Sequence, residues 1–116
     1  MKFFISFNHV EGEWEKLSDS EREGHTNSLR DFSQALKREK GTNLVFFAPP
    51  QHAQTVRIDS GTPLQVLDGP ALPGPEASGG YYVIEADSLD EAIEWAKRGR
   101  FLVGSNEVRQ IIEFQP

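Results

Sequence analysis

The chain has no cysteine and only one methionine in 116 residues. That excludes disulfides, thiolate catalysis and cysteine-ligated metals. No apolar run approaches the ~18 residues that a membrane-spanning helix needs. Cations are in the minority, with 12 Lys and Arg against 18 Asp and Glu and a formal charge of −6. Nucleic-acid binding needs a clustered excess of Lys and Arg to neutralise phosphates, so this balance argues against it. The basic run Lys37-Arg38-Glu39-Lys40 is broken by an acid and falls where a helix should end, where cations complement the helix dipole. There are three histidines, with no H-x-H or H-E-x-x-H spacing, and His9 and His52 read as loop-flanking residues. No metal and no cofactor is expected. Gly79-Gly80 opens a strand rather than a helix, so it is not a phosphate cradle. The start, MKFFISFNHVEGEW, is too short in apolar residues for a secretory signal and reads as a strand. Together with the absent cysteine this predicts a cytoplasmic protein.

What the chain does have is apolar patterning for one domain, with 37% hydrophobic residues and eight Phe. Lys2 to Asn8 alternates, with Phe3, Ile5 and Phe7 against Phe4, Ser6 and Asn8. Ser18 and Glu21 form an S-x-x-E capping box that opens a helix towards Lys40, with Gly41 as its stop. Its apolar stripe is Leu29, Phe32 and Leu36, with His25 one turn upstream. Asn43 to Ala48 is a second strand, ended by Pro49-Pro50. Gln54–Asp59 and Leu64–Leu67 flank Asp59-Ser60-Gly61 as a hairpin. The centre of the pattern is DGPALPGPEASGGYYVIEADSLDEAIEWAK, from Asp68 to Lys97. It reads as a turn, a Pro/Gly loop, the strand Tyr81–Ile84 and a helix capped by Ser88 and Glu91, with Leu89, Ala92, Ile93 and Ala96 as its stripe. Asn106 to Phe114 is the last strand.

The order β-α-β, hairpin, β-α-β predicts an α+β, ferredoxin-like split fold, an antiparallel sheet with both helices on one face and a β-hairpin insert. Apolar residues on both faces of such strands leave one face bare, which predicts a homodimer joined sheet to sheet as a dimeric α/β barrel. Arg57, Glu85 and Arg109 should then lie at or near the interface. His25 is the candidate general acid or base, because imidazole exchanges protons near neutral pH. Asp68 is its candidate partner, with a turn-stabilising role as the alternative. Arg57, Tyr82, Glu85 and Arg109 are candidate ligand-binding residues for an acidic or hydroxylated small molecule; cross-strand ion pairs would explain the charged ones equally well.

The pattern "DGP, short loop, GGYYVIEADSLDEAIEWAK, then EVRQI" resembles the YCII-related domains of the DGPF type, as do MKFFISF and the spacing His25…Leu29…Phe32…Leu36…Gly41. The resemblance implies a dimeric α/β barrel, suspected enzymes using a His–Asp pair, and a context near extracytoplasmic-function sigma factors. It departs at Ala71, where the motif has Phe, and at Gly99-Arg100, where the YCII enzymes have Asp-Pro. Those departures rank a small-molecule-binding or interaction module first. A cofactor-free lyase or isomerase on a small ring compound, using His25 and Asp68, comes second. A regulatory accessory to a sigma factor comes third.

Overall fold

A computed structural model describes residues 1–116. The elements are β1 (Lys2–Val10), α1 (Asp19–Lys40), β2 (Val45–Phe46), a 3-10 turn (Pro50–His52), β3 (Gln54–Arg57), β4 (Gln65–Asp68), β5 (Glu76–Glu85), α2 (Leu89–Arg98) and β6 (Gly104–Gln110). Four strands form one antiparallel sheet in the order β2-β5-β1-β6, and β3 with β4 form a separate two-stranded sheet. With the hairpin set aside, this is the strand order expected of a split β-α-β fold. No helix is long and apolar enough to cross a membrane.

Alternation along β1 and β5 decides which side chains meet the helices. Phe3, Ile5 and Phe7 of β1 join Tyr82 and Ile84 of β5 in the buried core. Phe32 and Leu36 of α1 and Ala92, Trp95 and Ala96 of α2 close it from one side. The second helix is turned from the expected stripe: Leu89 is exposed, and Trp95 takes the core position. Trp95 is large enough to reach Phe32, and Arg98 lies over its ring at 4.2 Å, shielding its outer face.

The first capping box forms in both directions. The Ser18 hydroxyl accepts from Glu21 N–H at 3.1 Å, and Ser18 N–H donates to Glu21 at 3.0 Å. The second box forms only by half. The Ser88 hydroxyl accepts from Glu91 N–H, while the Glu91 carboxylate takes Asp87 N–H and the Lys40 ammonium, each at 2.7 Å. Lys40 also donates to the Glu85 carbonyl at 2.8 Å. The last residue of α1 therefore ties the end of β5 to the start of α2.

Two strands are shorter than the sequence predicts. The β2 ladder stops at Phe46, and after one more bond, from Phe47 N–H to Gly79 O, Pro49 and Pro50 turn the chain away. The last strand ends at Gln110 rather than Phe114, because β1 begins at Lys2 and Ile111 N–H to Lys2 O is the final bond available. Ile112 and Phe114 consequently stand in solvent.

Phe32 packs edge-on against Tyr82, Trp95 and Phe101, with centroids 5.5–6.0 Å apart. Phe32→Ala should lower unfolding free energy by about 3–5 kcal/mol in a urea titration; a loss under about 1 kcal/mol would mean this cluster does not hold the helices to the sheet. The Lys40 hydrogen bond, with help from Asp87 N–H, holds the Glu91 carboxyl below its ordinary 4.5. A lowered folded-state value contributes stability above the unfolded-state value and loses it as pH falls through the folded one. Glu91→Gln should therefore lower Tm at pH 7 and narrow the Tm difference from wild type as pH falls below about 4.5.

Candidate functional site

A cleft of about 610 Å³ opens at one end of the four-stranded sheet, within the size range of small-molecule sites. Its floor is the C-terminal half of β1 with the first residues of β5. One wall is the first half of α1, through His25, Thr26 and Leu29. The facing wall is the stretch from Phe46 to Gln51, and Phe101 and Leu102 close the back. The turn from Glu11 to Glu15 forms the rim and contributes the Trp14 ring.

Local chemistry builds each of these parts. Arg22 of α1 donates to the carbonyls of Trp14 and Glu15 at 3.1 Å, and its guanidinium lies over the Trp14 ring at 5.8 Å. This clamps the rim turn to the helix. The Gln51 amide donates to the Glu11 carboxylate, tying the rim to the opposite wall. A β-bulge sets the floor: Phe7 pairs with Gly80 and Asn8 with Ser78, so Gly79 is the extra residue. The His9 imidazole occupies the space above it. A Cβ at Gly79 would fall 2.6 Å from His9 Cε1, so only glycine leaves room for the ring there.

His9 and His25 thus share one half-buried cleft with Glu11 and Glu15, among aromatic walls. No hydrogen bond within the chain engages either imidazole, so their nitrogens are available to a bound molecule. No lining residue is Lys or Arg. No group of three or more His, Asp or Glu side chains is arranged to hold a metal ion.

Of the residues singled out from the sequence, His25 alone lines this cleft. Asp68 ends β4 on the hairpin, exposed, accepting from Gln54 at 3.1 Å across the ladder. The following Gly69 N–H donates to Ala53 O at 2.8 Å. Asp68 therefore sits in a strand at the base of a hairpin and bonds a side chain across the ladder rather than the backbone of a turn, and it does not line the cleft that holds His25. Tyr82 is core, 1% exposed, and its hydroxyl donates to the Trp95 carbonyl at 3.4 Å. Burial pushes that phenol well above its ordinary range. Strand alternation gives Tyr81, not Tyr82, the face away from the helices. Arg57 stands exposed on β3. Glu85 pairs with the N-terminal ammonium at 3.3 Å, and Arg109 with Glu107. By strand parity Glu85 and Arg109 share the open sheet face with Phe4, distant in role from the cleft.

The position of the YCII enzymes' Asp-Pro also has a structural reading. Gly99 is buried, and a Cβ there would lie 2.8 Å from Phe32 Cζ. A side chain at this position would therefore require the Phe32 ring to shift.

An α+β fold with two helices on one face of an antiparallel sheet, and an apolar cleft at the sheet end, defines the class. The YCII-related domain model matches residues 1–115, and the chain belongs to that family. No curated protein matches the chain.

Gly79→Ala should displace the His9 ring while leaving the fold intact. In a ¹H–¹³C NMR spectrum the His9 ring signals should shift and those of His52, which lies outside the cleft, should not. Unmoved His9 signals would contradict the packing of His9 on the bulge.

Proposed function

We propose that this protein binds a small, neutral ring compound carrying a hydroxyl or amine in the cleft between β1, α1 and the Phe46–Gln51 wall. The observation that carries this reading is the pairing of two hydrogen-bond-free imidazoles with aromatic walls in a pocket of small-molecule size. The ring would pack between Trp14, Phe7 and Phe46, and its polar group would reach His9 or His25. Carboxylates at Glu11 and Glu15, without a compensating Lys or Arg, disfavour an anionic ligand. Arg57, Glu85 and Arg109, candidates for an acidic or hydroxylated ligand, are not among the residues that line this cleft.

Turnover is the second reading, as a cofactor-free lyase or isomerase with His25 as general base. The second imidazole, His9, favours it, since acid–base chemistry on a ring needs a donor as well as an acceptor. Asp68 would take part only if a second copy supplied it. An accessory role towards a sigma factor rests on family context alone.

The assembly that fits this domain is a homodimer joined through the open sheet face. Phe4, Tyr81 and Val83 lie there, with Val45 and Phe47 at the edge, and no element of the chain covers them. An apolar sheet face of that extent favours burial against its own copy.

A thermal-shift screen of phenols, aminophenols and matched benzoates tests the ligand class. A ligand at 100 times its dissociation constant should stabilise by about 2.7 kcal/mol. Hits should be neutral phenols or amines, lost in His25→Ala and Trp14→Ala but kept in Asp68→Ala. Benzoate hits that survive both cleft substitutions would overturn the assignment.

A further inference from the structure

The β3–β4 hairpin is an arm rather than part of the body. It packs on itself, and neither of its strands belongs to the main sheet. The radius of gyration is 16.5 Å, against about 13 Å for a compact domain of this length. The molecule is also flat, with extents of 48 × 43 × 19 Å.

The arm has two unlike faces. Cross-strand pairs Val56↔Val66 and Gln54↔Asp68 share one face, and Thr55↔Leu67 and Arg57↔Gln65 share the other. Period-2 alternation carries Ile58 and Leu64 onto the Val56–Val66 face, beyond the ladder. Those four aliphatic side chains are 56–78% exposed. A lone two-stranded hairpin is at best marginally stable in water, and one offering a row of aliphatics needs a surface to bury it. The rest of this chain does not supply one.

We propose that the arm clasps a second copy of this chain. The Val56, Ile58, Leu64 and Val66 face of each copy packs against the body of the other. The proposal rests on the sheet-to-sheet dimer and adds to it the element that locks the pair. Continuity supports it: Phe47 of the open sheet face leads through Pro49 and Pro50 directly into the arm, so the arm leaves from the border of that face. Symmetry supports it as well. One chain has an uncovered sheet and an uncovered arm, and a two-fold pair satisfies both with the same residues. The short hydrogen bond from Gly69 to Ala53 fixes the arm's root while leaving its length free to reach across.

The test is sedimentation equilibrium of wild type, Ile58→Lys/Val66→Lys, Val83→Lys, and a chain in which a Gly-Ser link replaces residues 54–68. The two lysine positions on the arm are exposed and make no core contact, so the folded circular-dichroism spectrum should persist. The excised chain covers the case in which it does not. Wild type should be a dimer, and both arm variants should raise its dissociation constant by 100-fold or more. If wild type is a monomer at 100 µM (a concentration chosen to exceed ordinary dimer affinities), the sheet interface and the clasp both fall. If wild type and the arm variants dimerise equally and only Val83→Lys dissociates, the sheet interface stands and the clasp is overturned.

Discussion

Everything in this molecule depends on the antiparallel pairing of β1 with β5 and on which side of that pair the helices lie. Both strands carry apolar residues in succession: Phe3, Phe4 and Ile5 on one, Tyr81 to Ile84 on the other. A pleated strand sends neighbours to opposite faces, so each strand presents apolar side chains both ways. The helices take one set, Phe3, Ile5, Phe7, Tyr82 and Ile84, and this is the core. The other set, Phe4, Tyr81 and Val83, has no cover within the chain. A stable core and an apolar face left open thus arise from the same pairing. The Lys40 contacts to Glu85 and Glu91 hold the helices to that one side.

The cleft follows from where this pairing loosens. At Gly79 the register slips by one residue, the floor opens, and the His9 ring fills the space that a side chain at 79 would have taken. Prolines 49 and 50 swing the chain off the sheet on the other wall, while Arg22 pulls the Trp14 turn over the mouth. The result is an aromatic box whose lining holds imidazoles and carboxylates but no Lys or Arg. That chemistry suits a neutral or amine-bearing ring.

Sequence patterns disclose the elements here better than their meeting points. Ser18 with Glu21, Gly41, and the alternation of Phe3, Ile5 and Phe7 are local signals, and each appears in place. The hairpin was legible too, to within about two residues at each end, because Asp59-Ser60-Gly61 marks its turn. What pattern alone could not supply was register. The end of the last strand depends on where β1 begins, and the Trp95 position depends on how α2 rolls over the sheet. His25 is legible as a candidate because its imidazole chemistry and its place one turn upstream of the Leu29–Phe32–Leu36 stripe are local features, and the structure puts it in the cleft lining. The place of His9 is not legible in the sequence, because it exists only when Gly79 is bulged opposite it, a pairing made across a gap of about 70 residues. Tyr82 and Asp68 were attractive for their chemistry, but strand parity takes the first into the core and the hairpin base takes the second.

The central claim, that the cleft at the end of the sheet is the ligand site, is tested most directly by NMR mapping of backbone amides and histidine rings. The titrants would be small neutral phenols and amines. The account predicts shifts confined to Phe7–Glu15, His25–Leu29, Phe46–Gln51 and Ala77–Gly79, with both His9 and His25 rings moving and His52 still. Shifts gathered instead around Arg57 and Asp68 on the arm, or around Glu85 and Arg109 on the sheet, would contradict it.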